Sequence, residues 1–241
     1  MENKETIIDK SKYLDYTYSE ALAPKTDYPN ILALWALENV FQGTGSVLDF
    51  GCGRGDFLAA FEQLGFESYG LDASPNIKEL QGFAVKQVNF ESDPYPYFAQ
   101  KFDYAFSKSV VEHLHKPDLY LSAIYDSLKE GGKALVMTPS WEYNYWGPFY
   151  IDHTHVTPFT AKSLKSALEM AGFKNVTVKY FYQLPMLWKF PFLRIFAKLI
   201  AKLPIPYAPY NDVPWDVSNK INKTIRFSKE VMLMASAEKY F

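Results

Sequence analysis

The four histidines of this chain lie in two close pairs, His113 with His115 and His153 with His155. Imidazole titrates nearer to neutral pH than any other side chain, so a positioned histidine can act as a general base toward a poorly acidic hydroxyl. Each pair follows a predicted strand, and both loops are expected to open toward the same cleft. The pairing therefore predicts that these loops carry proton transfer from a substrate hydroxyl.

A glycine-rich turn precedes both pairs. Residues 47–50 form a short apolar run that is typical of a buried parallel strand, and apolar residues at helical spacing follow the turn. Between them Gly51, Gly53 and Gly55 stand at alternate positions, where bare backbone at a helix N-terminus makes room for a nucleotide-like cofactor. A dinucleotide fingerprint would need a glycine where Asp56 stands, which disfavours a nicotinamide cofactor.

A second acidic position, Asp72, ends the next predicted strand. Rossmann-like folds place a carboxylate there to accept hydrogen bonds from both ribose hydroxyls of the cofactor. Asp72 could instead belong to the N-cap region of a helix that Ser74 and Pro75 open. The ribose role is favoured because the glycine turn lies upstream.

The glycines and Asp49 together resemble motif I of the class I S-adenosylmethionine (SAM) methyltransferases. The resemblance implies SAM as cofactor and S-adenosylhomocysteine as product. Asn89 stands where that family usually has an acid beside the adenine. Without a ligand, the same glycines would form a tight strand–helix turn in which Cys52 is a small filler. The residues implied to bind SAM are Asp49, Gly51, Cys52, Gly53, Gly55, Asp72, Ala73, Asn89, Phe90 and Ser107.

The resemblance implies an α/β, Rossmann-like seven-stranded sheet, mostly parallel with an antiparallel last strand, and helices on both faces. Strand–helix alternation over residues 46–138 predicts five parallel strands with crossover helices. Residues 175–182 are predicted as strand six, 230–237 as strand seven, and 160–171 as a helix closed by Gly172.

We predict that the chain divides into a helical lead-in over residues 1–45 and a SAM-dependent methyltransferase domain over 46–241. The domain carries two additions to the minimal fold, an acceptor loop at 139–160 and an insert at 183–227. The lead-in contains a predicted helix at 29–41, whose apolar face would carry Ile31, Leu34, Trp35 and Phe41. The tyrosines assigned either to a lid over the cofactor or to the surface are Tyr13, Tyr16 and Tyr18.

Glu112 and His113 resemble a glutamate–histidine element that is common in small-molecule O-methyltransferases such as the ubiquinone-biosynthesis enzymes. In some relatives this element joins a glutamate three residues upstream and a distant histidine to bind Mg²⁺. Ser109 occupies the upstream position here, so one of these metal ligands is missing. The chain could still bind Mg²⁺, but no metal site is predicted. Alternatively, His113 packs near the cofactor and Glu112 accepts hydrogen bonds.

Residues 152–160 resemble a D-x-x-H-x-x-x-F-[ST] stretch of methyltransferases from bacterial cell-surface polysaccharide pathways. The resemblance implies that His155 lines the acceptor site, with Asp152 as its orienting partner or as a second acceptor. On this basis we predict His155 as the catalytic base and His153 as its substitute. The alternative, in which Asp152 and Thr160 only cap a turn and a helix, leaves the imidazoles unexplained.

The insert carries an amphipathic segment with four basic side chains and no acid between residues 183 and 210. Apolar side chains form one helical stripe between Pro191 and Pro204, and basic side chains form another. This pattern predicts peripheral contact of residues 189–203 with an anionic membrane, because the helix is too short to cross one. A core-packing cap or a dimer contact is the alternative.

Composition excludes several classes of protein. The net charge of −2 provides no general attraction to nucleic acid, and no nucleic-acid partner is predicted. The single cysteine excludes a disulfide framework and a cysteine-rich zinc site. A polar N-terminus without a signal peptide predicts a cytoplasmic protein, either free or peripheral at the inner membrane face.

The sequence therefore predicts a SAM-dependent O-methyltransferase that acts on a small hydroxylated acceptor. A sugar, or a nucleotide- or lipid-linked glycan precursor, is the leading class of acceptor. The alternatives are a quinone- or lipid-type O-methyltransferase and a non-catalytic SAM-binding partner protein. The sequence leaves the oligomeric state open.

Overall fold

The computed structural model describes residues 24–208 and 219–240. Seven strands form one sheet in the order β3-β2-β1-β4-β5-β7-β6. Strands β1 to β5 are parallel, and β7 pairs antiparallel with β5 and with β6, which confirms the predicted sheet. The strands are β1 (Ser46–Phe50), β2 (Glu67–Asp72), β3 (Ala84–Gln87), β4 (Phe102–Lys108), β5 (Leu128–Pro139), β6 (Lys174–Phe181) and β7 (Met232–Glu238).

Helices cover both faces of the sheet. Every residue of the central strand β1 is buried, as expected for a parallel strand between two neighbours with helices above and below it. The α-helices are α1 (Tyr28–Ala36), α2 (Asp56–Gln63), α3 (Pro117–Ser127), α4 (Trp141–Asn144), α5 (Ala161–Met170), α6 (Pro185–Lys189), α7 (Arg194–Lys202) and α8 (Lys220–Lys229). Helices α3 and α5 pack into the core on one face, and α1 and α2 pack into the core on the other.

Local sequence signals explain the ends of helix α5. The Thr160 side chain accepts from the backbone N–H of Ser163, whose hydroxyl in turn accepts from the Thr160 N–H, so the two residues form a capping box. The capping role considered for Thr160 is therefore confirmed. Gly172 follows the helix with a φ of +106°, the left-handed conformation that glycine adopts readily, which confirms the predicted end of the helix.

The predicted apolar face of α1 is wrong in part. Ile31 and Leu34 are exposed, whereas Leu32, Ala33 and Ala36 are fully buried. The reason is tertiary packing, because α1 turns the side that carries Leu32, Ala33 and Ala36 into the core that it shares with α2. Phe41, in a π-helical turn at Leu37–Phe41, is buried as predicted. The tyrosines considered for a lid, Tyr13, Tyr16 and Tyr18, lie outside the described residues.

The insert at 183–227 contains α6, a 3₁₀ turn (Pro191–Leu193), α7 and the greater part of α8, which ends two residues past the predicted boundary. The helix predicted between Pro191 and Pro204 is confirmed in α7. Within residues 24–208 and 219–240, no helix combines the length and the apolarity that crossing a bilayer requires.

Candidate active site

The glycine turn joins β1 to α2 at the carboxyl edge of the sheet. The backbone N–H groups of Gly51 and Cys52 both donate to the carbonyl of Leu71, at 2.7 and 2.9 Å, which ties the turn to β2. Gly51 has a φ of +91°, and a Cβ built on it would lie 2.2 Å from Cγ2 of Val110. Only glycine fits at this position, so the turn presents bare backbone at the edge where α/β folds bind ligands.

Asp49 supplies a buried carboxylate beneath this turn. The residue is almost fully buried, and its Oδ2 has no hydrogen-bond partner among the described residues. Burial raises its pKa well above the usual range, and the nearby negative charge of Asp72 raises it further. A ligand with positive charge would offset this repulsion. The orphaned carboxylate therefore fits SAM, whose sulfonium and amino groups are cationic.

Asp72 connects the glycine turn to the turn that follows β2. Its Oδ2 accepts from the Gly53 N–H at 2.9 Å, and its Oδ1 accepts from the Ser74 N–H at 2.8 Å. Ser74 caps the 3₁₀ turn at Pro75–Glu79 by accepting from the Asn76 N–H. Each carboxylate oxygen can accept a further hydrogen bond. The capping geometry and the predicted ribose role of Asp72 are therefore compatible.

Asp72→Asn is expected to weaken SAM binding by at least about tenfold, because it replaces a charged acceptor of two hydrogen bonds by a neutral one. Isothermal titration with S-adenosylhomocysteine measures the change. Asp56→Asn is the matched control in the same turn, since Asp56 pairs with the partly exposed Arg54 at 2.8 Å. The control is expected to change the affinity less than twofold; equal losses in both variants would contradict a specific role for Asp72.

The other predicted cofactor residues have side chains that are engaged within the protein. The Ser107 hydroxyl is buried and lies 2.7 Å from the hydroxyl of Tyr120, so it belongs to the core rather than to the open edge. Phe90 packs against Phe50 and Tyr120. Cys52 is buried against Leu58 and Ile77, as expected for a small filler.

Two predicted cofactor positions lie at the loops that follow β2 and β3. Asn89 is exposed, and its side-chain oxygen accepts from the Glu91 N–H. The Ala73 carbonyl accepts from the side-chain amide of Gln87 at 3.1 Å. For Asn89 the hydrogen bond organises its own turn, and a contact with adenine stays a prediction.

Glu112 is fully buried just beyond the carboxyl end of β4, in a 3₁₀ turn at Val111–His113. Its Oε2 accepts from the Thr138 hydroxyl at 2.9 Å, whereas Oε1 has no hydrogen-bond partner within the described part of the chain. Burial raises the pKa of this carboxyl to about 7. Its backbone carbonyl accepts from the N–H groups of Val156 and Thr157, which fastens the acceptor loop to the end of β4.

His155 is held in one tautomer by the acceptor loop. Its Nδ1 lies 2.6 Å from the carbonyl oxygen of Phe149, and because a carbonyl can only accept, Nδ1 carries the proton. Burial lowers the pKa of His155, so the neutral ring presents Nε2 as its basic nitrogen. Asp152 lies alongside, with its Oδ2 4.0 Å from that Nε2.

His113 is oriented in the same way through Thr154. The Thr154 hydroxyl donates to Oδ1 of Asp152 at 2.6 Å, so it can only accept from Nδ1 of His113, which lies 2.8 Å away. The neutral His113 ring therefore also has Nε2 as its unprotonated nitrogen. The rings of His113 and His155 lie 4.6 Å apart between centroids. Asp152 thus orients His113 by way of the Thr154 hydroxyl, and it also lies beside His155.

The structure brings together one histidine of each pair. Glu112, His113 and His155 each offer one ligand atom, and these atoms lie within 4.8 Å of one another. His115 and His153 are exposed instead, and the His115 backbone N–H donates to Glu91. Two imidazoles and a carboxylate can move a proton, and they could also hold a divalent cation, with a preference for transition metals over Mg²⁺.

Four groups of this site were not predicted from the sequence. Thr154 binds His113, and Thr138 binds Glu112. The position of Thr154 between His153 and His155 was the one sequence signal for its role. Lys108 ends β4, and its positive charge lowers the pKa of Glu112. The Phe149 carbonyl selects the His155 tautomer, and because it is a backbone group, no residue type in the sequence indicates this role.

The sheet order, the glycine turn and the acidic ends of β1 and β2 define the class I SAM-dependent methyltransferases. Residues 19–178 match the family described as a methyltransferase domain, and the chain belongs to that family. The predictions of a methyltransferase and of SAM as its cofactor are thereby confirmed.

Two curated relatives illustrate how varied the acceptors of similar proteins are. A ubiquinone biosynthesis O-methyltransferase of Cereibacter sphaeroides is 34% identical over 105 residues, which cover 41% of this chain and 42% of that protein. Phosphoethanolamine N-methyltransferase 2 of Caenorhabditis elegans is 26% identical over 151 residues, which cover 56% of this chain and 34% of that protein. The alignments span less than half the length of either relative.

Solved structures share the fold over most of the chain. A SAM-dependent methyltransferase from Archaeoglobus fulgidus superposes with a TM-score of 0.60 at 24% identity, covering 93% of this chain and 99% of that one. Phosphoethanolamine N-methyltransferase 2 of Haemonchus contortus, solved with phosphomonomethylethanolamine and S-adenosylhomocysteine, gives a TM-score of 0.65 at 18% identity, covering 98% and 61%. At these identities the likeness concerns the fold alone.

Proposed function

We propose that this protein transfers the methyl group of SAM to a hydroxyl oxygen of a small acceptor, with His155 as the general base. The observation that carries the proposal is the imidazole of His155, whose Nδ1–H is held by the Phe149 carbonyl while Nε2 stays basic. It lies beside Glu112 and His113, on loops that leave the same edge of the sheet as the glycine turn.

The residues of the chain position and deprotonate the acceptor. Bound SAM supplies the methyl carbon, and S-adenosylhomocysteine departs as the bond between sulfur and that carbon breaks. His155 Nε2 accepts the hydroxyl proton while the acceptor oxygen forms the new bond to carbon, and the imidazolium then releases this proton to solvent. Positioning supplies most of the acceleration, and the base adds roughly 10²–10⁴-fold.

The acceptor we favour is a sugar, or a nucleotide- or lipid-linked glycan precursor of polysaccharide biosynthesis. The resemblance of residues 152–160 to methyltransferases of such pathways supports this class. A quinone- or lipid-type phenol is the second candidate, because several of the relatives are named ubiquinone biosynthesis O-methyltransferases. The third candidate function is that of a non-catalytic protein that binds SAM and acts as a partner of another protein.

Transfer of labelled methyl from SAM into cell extracts, separated into water-soluble metabolites and membrane lipids, tests the proposal. Label in the soluble pool supports a sugar or sugar nucleotide, and label in the lipid pool supports a lipid-linked glycan or a quinone, which mass analysis of the product separates. No label despite measurable SAM binding would favour the partner protein.

Metal chelation tests whether Glu112, His113 and His155 serve proton transfer or bind a metal ion. We expect EDTA to leave the rate unchanged, because the base role of His155 needs no metal. Abolition of activity by EDTA and its restoration by one divalent cation would instead assign Glu112, His113 and His155 to a metal. Magnesium, manganese and zinc, added back separately, identify the preferred ion.

A further inference from the structure

Helix α7 turns most of its large apolar side chains away from the protein. Among the nine described residues of α7, Ala197 is the one that is buried, and it packs against Tyr182, Leu187 and Val231. Five large apolar side chains of residues 192–203 are 48–65% exposed, which argues against a core-packing cap. We call them the apolar stripe; they are Phe192, Ile195, Phe196, Leu199 and Leu203.

A row of positive charge runs beside the apolar stripe. Arg194, Lys198 and Lys202 follow one another at every fourth position, and all three are exposed, as is Lys189 just before them. No acidic residue occurs between positions 183 and 210. An exposed apolar face flanked by positive charge suits a helix that lies in the interface of an anionic membrane.

Exposed aromatic side chains continue this surface into the acceptor loop. Just past α7, the partly buried ring of Tyr207 meets the ring of Trp146 edge to face, with 6.5 Å between centroids, and both rings line a cleft of about 440 Å³. Within the loop Tyr145, Trp146 and Tyr150 are more than half exposed. Tryptophan and tyrosine are the residues that concentrate where lipid headgroups meet acyl chains.

The surface lies at the edge of the sheet that carries the candidate active site. Met232 at the start of β7 pairs with Pro139 at the end of β5 and with Phe181 at the end of β6. The buried contacts of α7 with Tyr182 and Val231 therefore sit at the same edge as the loop that holds His155.

We propose that the apolar stripe, together with Trp146 and its neighbouring tyrosines, docks on an anionic phospholipid bilayer. Docking holds α7 parallel to the bilayer, with Arg194, Lys198 and Lys202 at the headgroups, and turns the acceptor loop toward the lipid surface. This binding is independent of the proposed methyl transfer, and it is measured without any acceptor.

Co-sedimentation of the full chain with vesicles tests this proposal. We expect binding to phosphatidylcholine vesicles that contain phosphatidylglycerol, weakening with salt, and little binding to phosphatidylcholine alone. The triple variant R194A/K198A/K202A is expected to bind on the order of a hundredfold more weakly, from about fivefold for each charge. The triple variant F192S/F196S/L199S is expected to lose binding to the anionic vesicles.

Leu119→Ser with Met170→Ser is the matched control, because both side chains are more than half exposed but lie on α3 and α5. Thermal melting and titration with S-adenosylhomocysteine confirm that each variant is folded. Absence of wild-type binding to the anionic vesicles would overturn the proposal, as would unchanged binding of F192S/F196S/L199S. Dimerisation of the wild type that this variant abolishes, without vesicle binding, would assign the stripe to a second copy of the chain instead.

Discussion

Replacing His155 by glutamine is expected to lower kcat by about 10²–10⁴-fold while leaving the affinity for SAM unchanged. Glutamine keeps a side chain that can donate to the Phe149 carbonyl, but it has no nitrogen that can accept a proton at neutral pH. Because His155 lies in the acceptor loop rather than at the glycine turn, the cofactor site stays intact. Initial rates at saturating acceptor, with titration of S-adenosylhomocysteine, separate the two effects.

His153→Gln is the matched control for that variant. His153 lies two residues away in the same loop but is exposed, whereas His155 is turned in toward Glu112 and His113. We expect less than a twofold change in kcat for this control. If His153→Gln lost as much activity as His155→Gln, the assignment of the base to His155 would be wrong.

Gly51→Ala is expected to reduce SAM affinity by more than about tenfold and to lower the melting temperature. Alanine is disfavoured at a φ of +91° by roughly 1–2 kcal/mol, and its Cβ would in addition lie 2.2 Å from Cγ2 of Val110. The turn must then shift, and with it the backbone that the cofactor approaches. Differential scanning calorimetry and titration with S-adenosylhomocysteine measure both consequences.

Gly82→Ala controls for the backbone strain alone. Gly82 has a φ of +88°, close to that of Gly51, but a Cβ added there meets no described atom within 4 Å. This variant is expected to lose stability and to keep its SAM affinity. Val110→Ala placed in the Gly51→Ala background removes the clashing methyl groups and should recover part of the affinity; recovery of none would show that strain, rather than the clash, displaces the turn.

The parts of this protein that could be predicted from the sequence depend on neighbours along the chain. The glycine turn, the capping of α5 by Thr160 and the end of that helix at Gly172 each follow from the conformational preferences of one or two residues. The alternation of apolar strands and amphipathic helices was likewise sufficient to predict a parallel sheet with an antiparallel last strand. The partial error in α1 has a tertiary cause, because packing against α2 selects Leu32, Ala33 and Ala36 as the buried set, and the local sequence does not show that contact.

The candidate site illustrates what local signals cannot supply. Sequence spacing predicted that the two histidine loops share a cleft, but not that His113 and His155 would meet while His153 stayed exposed. The contact between His113 and Thr154 joins residues 41 positions apart. Ser107 likewise lies one residue before the end of β4, a position that suits a cofactor residue, yet its hydroxyl lies in the core beside that of Tyr120 from α3.

The sequence by itself determined the class of fold, the cofactor and the residue types available for proton transfer, because these depend on patterns within short segments. The tertiary structure alone decided which nitrogen of His155 is basic, since a backbone carbonyl holds the other one. It also decided that the apolar stripe of α7 faces outward. An amphipathic pattern shows that a helix has two different faces, and the packing of Ala197 against Val231 decides which face the protein covers.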